Sequence, residues 1–126
     1  MIHTFIVSAA LCGMLSLPPG LPYAHTIERV ACRLHVNPRL VAAVVSVESQ
    51  FHRKIRTMEP DGRISRGLMQ VKASTARDFG FSHPARMLYS PWLNVYYGNT
   101  AVRRAFLSGR LVLVSTTVEG THENAR

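Results

Sequence analysis

The sequence predicts a mostly α-helical single domain of α+β type with one short β-hairpin, and three observations carry that prediction. Apolar residues recur at helical spacing through much of the chain. Two proline-marked helix starts stand at Asn37-Pro38 and Ser90-Pro91, and between them the helical pattern dissolves into a polar, turn-rich stretch around Asp61-Gly62. A chain of 126 residues suits one small domain. At that size roughly two-thirds of the unfolded surface is buried, enough for a core without staples.

Ile27, Val30, Ala31 and Leu34 give a first amphipathic helix over about Thr26 to Leu34. Asn37 is a natural N-cap and Pro38 a natural first helical residue, so a second helix runs from there to about Gln50. His52 to Arg66 reads as loop and hairpin, with Asp61-Gly62 at the turn. Helical character returns after Val71, with Ser74 as a cap and Gly80 as a stop. A last helix opens at Ser90-Pro91 and carries Leu93, Ala101, Val102, Ala105 and Phe106. Leu111 to Val114 suits a strand or a helix remnant, and residues 107–126 read as a divergent, polar end that is disordered or frayed.

Residues 1–24 hold no Asp, Glu, Lys or Arg, and Phe5 to Leu17 is an apolar run of signal-peptide length, too short to span a bilayer comfortably. With the Pro18-Pro19-Gly20-Leu21-Pro22 break after it, this stretch is expected to be a removable leader, ending near Ala24 and directing export to the periplasm or beyond. Of the two cysteines, Cys12 would leave with the leader and Cys32 is expected to be a small core residue.

The net charge is +8, a field that favours polyanions such as nucleic acid, anionic lipid or the acidic components of a cell wall. No recognition motif or dense Lys/Arg helix supports nucleic-acid binding. The histidines are scattered, and neither a metal nor any other cofactor is implied.

Glu48 is the residue on which chemistry converges. Leu40, Val41, Val44 and Val45 lie eight, seven, four and three positions before it, so its carboxylate continues an apolar stripe at the end of a helix. Removal from water disfavours the charged form, and a carboxyl kept protonated is what a general acid in glycoside cleavage needs. Taken alone, the position equally suits a Glu paired with Arg or Lys, or one at a solvated helix end.

The surrounding order is more specific: Val47-Glu48-Ser49-Gln50-Phe51, then Ser65-Arg66-Gly67-Leu68-Met69-Gln70-Val71, then Thr75-Ala76, and finally Pro91, Asn94 and Gly98. From about Thr26 to Phe106 this resembles the soluble lytic transglycosylase family, which cleaves bacterial peptidoglycan. The resemblance implies a lysozyme-like domain over residues 25–106, with a sugar-binding cleft. Glu48 would protonate the glycosidic oxygen between N-acetylmuramic acid and N-acetylglucosamine, then accept the C6 hydroxyl proton as a 1,6-anhydro ring closes. It also implies glycan strands as partner, with secretion, conjugation or phage machines as settings.

One acid acting twice needs no second carboxylate, whereas ordinary glycosidases use two. Glu59 and Asp61 are the acids in the intervening loop, and solvated turn roles are expected for both. Gln70 offers a donor and an acceptor, for an acetamido group or for a turn. Met69 offers a flexible apolar contact, for substrate or for core. Thr57 is preferred over Ser65 as the hydroxyl that the family places near the acetamido group. Gly67 is expected to let backbone approach Glu48 or the sugar, and Asn94 to tie its helix to a neighbouring loop. The family's later Ala-Tyr-Asn-Ala-Gly segment has no match after Phe106, so a non-catalytic glycan-binding remnant is the alternative function. Tyr96 and Tyr97 belong to the earlier helix and are expected in core or cleft wall.

Overall fold

A computed structural model of the chain describes residue 12 and residues 16–108. The elements are α1 (Ala24–Arg33), α2 (Pro38–Ser49), β1 (Arg56–Met58), β2 (Ile64–Arg66), β3 (Val71–Lys72), α3 (Ala73–Asp78), a 3₁₀ helix (Ala85–Tyr89) and α4 (Pro91–Leu107). Helix α4 packs against α1, and α1 packs against α2. Ile27, Val30 and Ala31 of α1, Val41 and Val45 of α2, Leu68, Leu88 and Val95 meet in the core. No helix among the described residues is long and apolar enough to cross a membrane.

The local rules act as the residues suggest. Asn37 Oδ1 accepts the Arg39 N–H at 2.9 Å and Pro38 takes the first turn of α2. Gly62, at φ +80°, turns the hairpin, and Asp61 Oδ1 accepts the Arg63 N–H at 2.9 Å. Gly80, at φ +94°, follows the end of α3 and donates to Arg77 O at 3.1 Å. Three local expectations change. Helix α1 starts at Ala24, two residues before Thr26. Val71–Lys72 is a third strand beside β2, a segment too short for period-2 alternation to show in sequence. Ser74 does not cap α3, which begins at Ala73 without a side-chain cap; its hydroxyl instead accepts from Arg63 Nη1 at 3.4 Å. Leu111 to Val114 and the rest of residues 109–126 lie outside the described residues.

Cysteine usage is corrected more firmly. Cys12 and Cys32 form a disulfide, so Cys32 is not an isolated core thiol. Two cysteines 20 positions apart carry no pairing signal until the chain folds back, which it does here. Leu17 is buried, its N–H donates to Glu28 Oε1 at 3.0 Å, and Leu21 and Tyr23 pack on the core. Within the stretch expected to leave as a leader, the described residues Cys12, Leu17, Leu21 and Tyr23 are therefore tied to the helical core.

Candidate active site

Glu48 sits in the last turn of α2, half-buried. The buried Val41 and Val45 hold the helix against the core, with Leu40 and Val44 half-buried beside them. Ser49 Oγ donates to Val45 O at 3.1 Å, and Gln50 and Phe51 then enter the left-handed region at φ 49° and 63°. These two residues end the helix just after Ser49, one residue beyond Glu48. Burial raises the Glu48 pKa, and the negative charge of Glu59 raises it further. The C-terminal end of a helix also disfavours an anion. No ion pair among the described residues includes Glu48, so the alternative of a Glu paired with Arg or Lys is not met.

The hairpin brings a second carboxylate toward the first. Register pairs Arg56 with Arg66, Thr57 with Ser65 and Met58 with Ile64. Residues opposite one another share a face, as do residues two apart on a strand. Thr57 and Ser65 thus lie on one face, and Glu59, just past β1, continues it. Ser65 is buried and its Oγ donates to Glu59 Oε1 at 2.5 Å, while Thr57 is exposed. Glu59 is half-buried rather than a solvated turn residue, and it is the site residue that sequence reasoning set aside. The signal available was the strand register, which puts Glu59 two residues beyond Thr57.

The Gly67 to Gln70 turn is a rigid support. Asn94, fully buried on α4, accepts the Met69 N–H at 2.7 Å and donates through Nδ2 to Arg66 O at 2.6 Å and Leu88 O at 2.7 Å. It ties its helix to this turn, as expected. Gly67 has φ +75°, and an added Cβ would stand 2.8 Å from Leu88 O and 2.9 Å from Asn94 Cγ. The close approach it allows among the described residues is to Asn94 and Leu88.

Gln70 Nε2 donates to Ile55 O at 3.2 Å and Gly67 O at 2.9 Å, which commits its amide nitrogen to the turn. Met69 is 6% exposed and packs on Gly98, where an added Cβ would meet Met69 Sδ at 2.8 Å; little of it is open to a ligand. Glu48 and Glu59 are thus brought together with the hairpin, while Gln70 and Met69 serve the turn behind it.

Tyr96 stacks on Trp92, and Tyr97 meets Phe81 edge-on, which places both tyrosines in half-buried packing. Among the described residues no three His, Cys, Asp or Glu side chains converge as metal ligands would. A hollow of about 660 Å³ is lined by Leu17, Arg39, Ala42, Ala43, Ser46 and Phe51. At 100° per residue these α2 positions face away from Glu48, so this hollow is not the site of its chemistry.

No solved structure matches the chain. The family model described as the transglycosylase SLT domain matches residues 25–110, a span that holds α2, the sheet, the Gly67 to Gln70 turn and α4. The chain belongs to the transglycosylase SLT domain family.

Proposed function

We propose that the chain is a peptidoglycan lytic transglycosylase in which Glu48 acts first as general acid and then as general base. The observation that carries this reading is a half-buried carboxyl in the last turn of α2, its neutral form favoured by burial and by Glu59. The protonated Glu48 gives its proton to the glycosidic oxygen as the bond from the muramoyl anomeric carbon to that oxygen breaks. The carboxylate left behind takes the proton of the C6 hydroxyl as that oxygen bonds to the anomeric carbon. Atoms balance without water, and Glu48 ends protonated. Glu59 adds to burial in favouring the protonated form of Glu48 at the outset, and its negative charge favours the oxocarbenium-like centre. Thr57 offers the exposed hydroxyl of the same hairpin face for the acetamido group.

A second reading, a glycan-binding remnant without activity, is favoured by one observation. No hydrogen bond among the described residues fixes the Glu48 carboxyl, and misplacement by ~1 Å can cost on the order of 100-fold in rate. Export to an oxidising compartment completes the proposal, supported by the Cys12–Cys32 disulfide.

The test is digestion of purified peptidoglycan by the full chain beside Glu48→Gln, with released muropeptides read by mass spectrometry. Anhydro-muropeptides from the unaltered chain alone are expected. Reducing ends would indicate hydrolysis with Glu59 as the second acid. Binding without product would establish the remnant.

A further inference from the structure

The face of the sheet opposite Thr57, Glu59 and Ser65 has a different chemistry. Arg56 and Arg66 are direct cross-strand partners on it, and like charges placed opposite each other on neighbouring strands destabilise the pair. Beside them lies a hollow of about 360 Å³ lined by Arg63, Arg66, Lys72 and Arg77, with Ser74 and Ile64 between them. Asp61 is the one carboxylate paired with these groups among the described residues, 3.7 Å from Arg63 Nε and 3.2 Å from Lys72 Nζ. The Arg63 N–H and these cations hold the Asp61 carboxyl below the usual carboxylate range. It is ionised, then, and offsets only part of the positive charge. Arg77 is exposed and forms no ion pair among the described residues.

We propose that this hollow, between the sheet and α3, is an anchoring site for the carboxylates of peptidoglycan stem peptides, lined by none of Glu48, Thr57, Glu59 and Ser65. Guanidinium groups present paired N–H donors that match a carboxylate in two-pronged fashion. Ser74 adds a hydroxyl and Ile64 an apolar wall, which suits a short peptide bearing acid groups better than a smooth polyanion. The hollow is small and concave, the wrong shape for a nucleic-acid duplex. A peptide of four or five residues extends at most about 14–18 Å, long enough to pass the edge of a three-stranded sheet. The site would hold the enzyme on an insoluble wall whose peptides are many, whichever glycosidic bond Glu48 faces. This inference rests on peptidoglycan being the substrate.

The test measures binding by the full chain carrying Glu48→Gln, so that no glycan is consumed. The probes are disaccharide-tetrapeptide muropeptides, glycan strands stripped of peptide by an amidase, a wall teichoic acid and a single-stranded oligonucleotide. Arg63→Gln with Arg77→Gln alters two exposed side chains, and Arg66→Gln tests the inner one; an unchanged melting temperature certifies the fold. The expected result is a loss of about tenfold or more in muropeptide affinity for the double variant, a similar loss for Arg66→Gln, and no change for stripped glycan. Equal muropeptide affinity in all variants would overturn the proposal. Teichoic acid or oligonucleotide binding more tightly than muropeptide, and losing that affinity in the same variants, would overturn the assignment to peptide. If stripped glycan neither binds nor is cleaved by the unaltered chain while muropeptide still binds through the arginines, the catalytic reading fails and the anchoring site stands.

Discussion

Replacing Asn94 by Ala should remove much of the domain's stability, because one side chain satisfies three buried backbone groups at once. The Met69 N–H, Arg66 O and Leu88 O all lie within 2.6–2.7 Å of its amide, and Asn94 itself is fully buried. An unsatisfied buried polar group costs about 1–3 kcal/mol, so three give about 3–9. The vacated space is polar, and a water entering it would restore part of that. The expected loss is therefore about 3–5 kcal/mol, against about 5–15 for a typical domain, with Tm falling by about 10–30 °C. Urea unfolding followed by circular dichroism and by the fluorescence of Trp92, the single tryptophan, measures it.

A coupled variant checks the cause. In the unaltered chain Gly67→Ala drives a Cβ into Asn94 and Leu88. With Asn94 already Ala, much of that clash is gone, and mainly the cost of positive φ, about 1–2 kcal/mol, should remain. A loss below about 1 kcal/mol for Asn94→Ala, or strictly additive costs in the double variant, would refute this account of the turn.

Asn99 is the converse case: it is buried one and a half turns along α4, and neither side-chain atom has a hydrogen-bond partner among the described residues. Asn99→Leu should be neutral or stabilising by up to about 1 kcal/mol in the same urea assay. Glu48→Gln should stabilise the fold at pH 7. The folded-state pKa is raised, so stability falls as pH rises from the unfolded value toward the folded one, and the amide escapes that loss. Its advantage should vanish below the unfolded pKa, as denaturation at several pH values would show. Glu59→Gln should lower the Glu48 pKa and move the alkaline limb of the activity profile to lower pH; a carboxyl titration of Glu48 by NMR reads the same shift without activity. A chain beginning at His25 loses the disulfide, worth about 2–4 kcal/mol, and the burial of Leu17, worth about 1.5–3. Its Tm should fall well below that of the full chain.

The helices were legible because their signals are local. Asn37-Pro38, the apolar spacing of α2 and Ser90-Pro91 all act within a few residues, and so does the Asp61-Gly62 turn. Glu48 was legible for the same reason, since its burial follows from neighbours on its own helix. What could not be read depends on chain reversal. The Cys12–Cys32 bond and the seating of Leu17 arise only when residues 16–23 fold back over α1 and α2. Glu59 looked like a turn residue because its partner Ser65 lies across the hairpin. Thr57 and Ser65 are rival hydroxyls in the sequence, and register puts them opposite one another, with Ser65 occupied by Glu59 and Thr57 exposed.

The register of one small sheet also bears on the raised pKa of Glu48, the proposed general acid, in a chain of net charge +8. A cation close to Glu48 would favour its ionised form and lower its pKa. The causes of its shift are instead burial and the anion Glu59. Alternation sends Arg56 and Arg66 to one face and Thr57 and Ser65 to the other, while Asp61 partly neutralises Arg63 and Lys72. A one-residue slip between β1 and β2 would reverse that alternation for the slipped strand and would remove Glu59 from Ser65. The hairpin turn that fixes register, built on Gly62 and the Asp61 cap, therefore contributes through Glu59 to the raised pKa of a residue on another element, beside the larger effect of burial.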